Sequence, residues 1–125
     1  MFKRGLNDLN QDRIKFKMID EYTTGNHMTV KGTQYHKDLK IIRGEVIGNW
    51  WRREGHRLAA GDIDDILTAR PQILVIGTGY AGNLRIPGAV RQTLQNHQIK
   101  VIAQTTADAT TTFNRLVAGT FHLTC

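Results

Sequence analysis

The sequence predicts an α/β domain of three layers, with a mixed central sheet of about five strands and a separate N-terminal β layer. Three observations carry this expectation. The second half alternates apolar strand-like runs with helix-period segments, the pattern that packs helices on a largely parallel sheet. One run, Ile73-Leu74-Val75-Ile76, is apolar at every position, as a strand covered on both faces should be. The first half instead breaks into short β-type pieces, with turn glycines at 25, 32, 44 and 48. A chain of 125 residues is long enough for one packed core without metal or disulfide staples.

Residues 1–10 are expected to form a loosely ordered arm. Ile14, Phe16 and Met18 alternate with Lys15 and Lys17, the period of a half-buried strand. Met28-Thr29-Val30 is a second short strand, ending at Gly32. Leu39–Ile42 and Gly44–Ile47 supply further strand material. Asp62 is placed to cap a helix with Asp64 and Asp65 in its first turn, where the helix dipole favours acids. Ile63, Ile66 and Leu67 give that helix an apolar face, and Pro71 stops it. Pro87 suits the first position of a helix running to about His97, with Val90 and Leu94 inward. Ile99–Ala103 is another buried strand. Thr106 is placed to cap a last helix holding Ala109, Phe113 and Leu116, and Val117–Leu123 closes the chain as a strand.

Composition bounds the chemistry. Seventeen Lys and Arg against eleven Asp and Glu give a formal charge of +6. That excess suits an acidic partner without naming one. It admits nucleic acid as a third reading, through Trp50-Trp51-Arg52-Arg53-Glu54-Gly55-His56-Arg57, where aromatics stack bases and arginines meet phosphates. The plainer reading of that segment is a strand end, with one Trp packed inward and its arginines solvated or paired with Glu54. A single cysteine, Cys125, excludes an internal disulfide and a cysteine-based zinc cluster, and suits a reducing compartment. No apolar run reaches membrane-spanning length and none follows the N-terminus as a signal core, so a cytoplasmic, non-membrane protein is expected.

Gly77-Thr78-Gly79-Tyr80-Ala81-Gly82 spells the G-x-G-x-x-G pattern directly after the apolar run. A dinucleotide site also needs a helix opening at that loop and an acid about twenty residues further on. Here the helix waits until Pro87, and no acid lies between Gly82 and Asp108. The glycines therefore read as a tight turn with close backbone approach. A loop at the carboxyl end of a parallel strand is still the usual place for a pocket in an α/β fold. Thr78 and the Gly77 and Gly79 amides make it a candidate small-anion site, with Arg52 or His56 nearby. His122 and Cys125 lie three apart on a strand, hence on opposite faces, which argues against a nucleophile–base pair. The five histidines show no metal-binding spacing. No catalytic residue, cofactor or metal is expected.

Val30-Lys31-Gly32-Thr33-Gln34-Tyr35-His36-Lys37-Asp38, the Trp50-to-Leu58 segment, Ile76-Gly77-Thr78-Gly79 and the terminal Phe121-His122-Leu123-Thr124-Cys125 together resemble one family. It is the adipogenesis-associated Mth-domain family, a domain of unknown function that also includes a mitochondrial respiratory complex I assembly factor. The resemblance runs over residues 10–125. It implies the same three-layer α/β domain, no established enzymatic activity, and the behaviour of an assembly or regulatory binding protein. It marks Tyr35, Asp38, Trp50, Arg52, His56, Gly77, Thr78, Gly79, Asn114, His122 and Cys125 as recurring positions without giving them chemical roles. One departure is a direct passage from Asn114-Arg115-Leu116 into Val117, where members carry a glycine-containing turn. The resulting expectation is a binding domain with protein partners, a homodimer among them. Its pocket candidates are Trp50, Arg52, His56, Gly77, Thr78, Gly79 and His122.

Overall fold

The computed structural model describes residues 18–52, 54–115 and 119–123. The described residues open with three antiparallel strands, β1 (Ile19–Thr23), β2 (His27–Val30) and β3 (Thr33–Tyr35), in that spatial order. Tight turns join them at Gly25 and at Lys31-Gly32, and both glycines hold positive φ. Then come β4 (Leu39–Ile42), β5 (Glu45–Ile47), a 3-10 turn (Ala60–Ile63) and α1 (Asp64–Ala69). The second half runs β6 (Ile73–Thr78), α2 (Gly88–Asn96), β7 (Lys100–Gln104), α3 (Thr106–Phe113) and β8 (Gly119–His122).

Five of these strands form the central sheet, in the order β5-β4-β8-β6-β7. Within it, β6 lies parallel to both β7 and β8, whereas β4 is antiparallel to β5 and β8. The mixed central sheet with a separate β layer is the architecture the sequence predicts. Side-chain alternation then sorts the core into two. Leu39, Ile41, Val75 and Phe121 point to the face covered by α3 and the small sheet, where they meet Ile19, Met28, Val30, Ala109 and Phe113. Leu74 and Ile76 point to the other face, against Ile63 and Ile66 of the α1 region and Val90 and Leu94 of α2. Phe113 stands edge-on to Phe121, with ring centroids 5.4 Å apart.

Several element boundaries differ from the sequence reading for local reasons. The alternation at Ile14–Met18 falls almost wholly outside the described residues, as do residues 1–10, and the first strand among the described residues is Ile19–Thr23. Asp62 does not cap α1. It sits in the preceding 3-10 turn, and its carboxylate accepts the Ala59 amide at 2.7 Å. Helix α1 stops before Pro71 because Arg70 turns into the left-handed region and returns its N–H to Ile66. Pro87 precedes α2 as its N-cap rather than opening it. Thr105, not Thr106, precedes α3, and the Thr106 hydroxyl is turned to another use. The shortened connection at 116–118 and the final Thr124-Cys125 lie outside the described residues.

That use concerns the glycine run. The Thr106 hydroxyl accepts the Gly79 amide at 2.9 Å and donates to the His122 carbonyl, so it ties β6 to β8 at the start of α3. A Cβ at Gly77 would lie 2.9 Å from that hydroxyl and 3.1 Å from the Phe121 ring. Gly77 is thus required by close packing under α3. Gly77→Ala is expected to destabilise the fold by about 1–3 kcal/mol, the cost of overpacking, read as a lower urea midpoint at unchanged m-value. An unchanged midpoint would contradict this reading.

Candidate functional site

The site lies where β4 begins and β8 ends, on the α1–α2 side of the sheet. The antiparallel register pairs Leu39 with Phe121 and Lys40 with Thr120. Continued by one residue, it sets Asp38 across from His122. On the other side of β8, the parallel register sets Thr78 across from His122. Residues two apart share a face, so Asp38, Lys40, Thr120, His122 and Thr78 form a polar row beneath the core of the opposite layer.

Asp38 organises this row. One carboxylate oxygen accepts Arg52 Nη1 at 2.7 Å and lies 2.8 Å from His122 Nδ1. The other accepts the Leu123 amide at 2.9 Å, and the Asp38 carbonyl accepts the Trp50 amide at 2.8 Å. Desolvation pushes the Asp38 carboxyl upward, but His122, the Leu123 N–H and Arg52 outweigh it. Its pKa is held below the ordinary carboxylate value.

Arg52 is buried, with its side chain 3% exposed. It donates to Asp38 and to the Gly55 carbonyl, and its guanidinium lies 4.8 Å from the centre of the Trp50 ring. Lys40 Nζ approaches the same ring at 5.2 Å while ion-paired to Asp65. Arg52 Nη2 also lies 3.2 Å from His122 Nδ1. A ring nitrogen cannot both donate to Asp38 and accept from Arg52. The shorter, charge-assisted contact with the carboxylate decides it, so Nδ1 carries the proton. The Nε2 atom of His122 and the Nε atom of Arg52 are then buried without a hydrogen-bond partner among the described residues.

These side chains wall an open cleft of 460 Å³, together with Trp51 and His56. The segment bearing them is pinned at both ends. Trp50 is bonded to Asp38, while the His56 carbonyl and the Leu58 amide pair with the backbone of Arg85. His56 stands edge-on to His122, with ring centroids 5.5 Å apart. Trp50 is buried against the core, and Trp51 is 80% exposed.

Of the residues expected at a pocket, Trp50, Arg52, His56 and His122 converge here. Gly77, Thr78 and Gly79 do not line this cleft. All three are buried and their polar groups are committed, with the Thr78 hydroxyl donating to the Gln104 carbonyl. The glycine run instead closes the joint between β6 and α3, where Thr106 holds the Gly79 amide. The expectation of solvated or Glu54-paired arginines is corrected for Arg52, which is buried on Asp38; Arg53 lies outside the described residues. Asp38 itself was indicated only by the family pattern. Among the other recurring positions, Asn114 clamps β1 by exchanging both amide hydrogen bonds with the Ile19 backbone, and Tyr35 packs against the core. Cys125 lies outside the described residues. Among the described residues no cluster of His, Cys, Asp or Glu fits a metal ion.

Residues 19–121 match the family model for a protein of unknown function, DUF498/DUF598. The chain belongs to the DUF498/DUF598 family. Solved structures of similar fold include an outer membrane protein from Bartonella henselae, at 24% identity and TM-score 0.72, covering 87% of this chain and 96% of that one. A conserved hypothetical protein from Pyrococcus horikoshii OT3 matches at 20% identity and TM-score 0.71, over 86% of this chain and 98% of that one. A Mth938-like domain from Bordetella pertussis matches at 14% identity and TM-score 0.65, over 98% and 91%. These likenesses bear out the Mth-domain resemblance and its fold. In this DUF498/DUF598 domain, no helix among the described residues is long and apolar enough to cross a membrane.

The depressed pKa of Asp38 fixes the sign of a pH effect. A carboxylate stabilised in the fold contributes fully above its unfolded pKa of about 3.9 and loses that contribution as pH falls through the folded value. Asp38→Asn is therefore expected to be less stable than the parent by about 2–4 kcal/mol above pH 5. That gap should narrow steadily as pH drops below about 4. Urea midpoints of both proteins across this range check it, and a gap independent of pH would contradict it.

Proposed function

We infer that this domain is a binding protein without catalytic activity of its own, and that the Asp38–Arg52–His122 cleft takes a small polar molecule. One observation carries the reading. Two buried nitrogens without a hydrogen-bond partner among the described residues, Arg52 Nε and His122 Nε2, belong to side chains in the wall of one cleft. Burying a polar group without a hydrogen bond is costly, and ligand sites are where such groups find their partner. The volume of 460 Å³ falls within the ~300–1,000 Å³ usual for small-molecule sites. The reading keeps the small-molecule expectation and moves it from the glycine run to the neighbouring strand ends.

A second reading, a protein-docking surface of the assembly type, is favoured by Trp51. This large aromatic is 80% exposed at the rim of the cleft, and exposed tryptophans are common anchors of protein interfaces. The two readings are compatible, because a partner seated on Trp51 would close the cleft.

Both tryptophans of the chain line this cleft, so their fluorescence reports on it. Titration with a panel of small carboxylates, phosphates and neutral amides is expected to give saturable emission changes for at least one class. His56→Ala, which alters an exposed part of the wall, should weaken them several-fold. Absence of any saturable change across the panel would remove the small-molecule reading.

A further inference from the structure

We propose that the cleft binds a small carboxylate together with one proton, which His122 takes up on Nε2. The proposal rests on the small-molecule reading of the cleft and names its ligand class. It starts from charge. Arg52 is the one cation buried in the cleft wall among the described residues, and Asp38 already neutralises it at 2.7 Å. A bare anion entering beside that pair would be desolvated without a counter-charge, which is strongly disfavoured in a low-dielectric site. An anion arriving with a proton keeps the site neutral.

His122 is the group suited to receive that proton. Its Nδ1–H is engaged by Asp38, which leaves Nε2 as the ring nitrogen with a lone pair to offer. Its other nitrogen is buried with no hydrogen-bond partner among the described residues, and the residue is 5% exposed. Of the groups around the ring, Asp38 comes from the start of β4, and Arg52 and His56 from the segment above. Thr78, from β6, spends its hydroxyl on the Gln104 carbonyl. Lys40, beyond Trp50, is paired with Asp65. Asp38 is the only carboxylate in the cleft wall among the described residues.

The step balances simply. A proton from solution bonds to the Nε2 lone pair, no bond breaks, and ligand and imidazolium cancel in charge. Once protonated, Nε2–H becomes a donor, as Arg52 Nε–H already is. Both then suit an acceptor-only group such as a carboxylate. A neutral amide gains nothing from the proton and serves as the control.

The test is calorimetric titration of the unmodified protein with acetate and benzoate, and with benzamide as the neutral probe, at several pH values and in two buffers of different ionisation enthalpy. The expected result is uptake of close to one proton per carboxylate bound, with affinity falling about tenfold per pH unit where that uptake holds. Benzamide should bind at least tenfold more weakly than benzoate. His122→Gln, if folded, should abolish proton uptake. Carboxylate binding without proton uptake, or benzamide binding as tightly as benzoate, overturns this proposal and leaves the small-molecule reading standing. No binding by any of the three probes overturns both.

Discussion

A carboxylate largely withdrawn from water persists only where donors replace its lost hydration. Asp38 obtains three: the Arg52 guanidinium, the His122 ring N–H and the Leu123 amide. Those donors come from two stretches of chain far apart in sequence, fourteen and eighty-four or more residues from Asp38. The Asp38 backbone adds a fourth tie through the Trp50 amide. Remove the carboxylate and Arg52 becomes an unpaired buried cation, while the segment carrying Trp50, Trp51 and His56 loses its side-chain tie to the sheet. The cleft exists because this knot holds.

The same knot sets the electrostatics of the cleft. Trp50 lies close to both Arg52 and Lys40, each already paired with an acid. Such neutralised cations fix geometry more than they attract anions. The formal charge of +6 is therefore no guide to this site, and the polarity that counts lies in two buried nitrogens that have no partner among the described residues. The glycine run contributes differently. By admitting Thr106 and Phe121 against Gly77, it draws β6, β8 and α3 close together and so fixes the strand end that bears His122.

Much of the fold was legible because its signals are local. The all-apolar Ile73–Ile76 run, the Val90 and Leu94 spacing and the turn glycines each report on their own neighbourhood. Strands β1 and β3 were missed because Ile19–Thr23 and Thr33-Gln34-Tyr35 are short and largely polar. The site was only half legible. Trp50, Arg52, His56 and His122 stood out by residue type, yet nothing local links positions 52 and 122. Asp38 carried no chemical signal, because its role depends on strand register and on partners distant in sequence. The glycine run pointed to a pocket for the converse reason: its backbone amides look available in sequence, and only tertiary packing shows Thr106 occupying one of them.

The central claim is that Asp38 and Arg52 act as one buried unit that holds the cleft. A double-mutant cycle of Asp38→Asn and Arg52→Gln, followed by urea unfolding near neutral pH, tests it most directly. If the two side chains form this unit, the losses should be strongly non-additive, with a coupling energy of about 1.5–3 kcal/mol. A coupling below about 0.5 kcal/mol, the level expected of independent sites, would contradict the account.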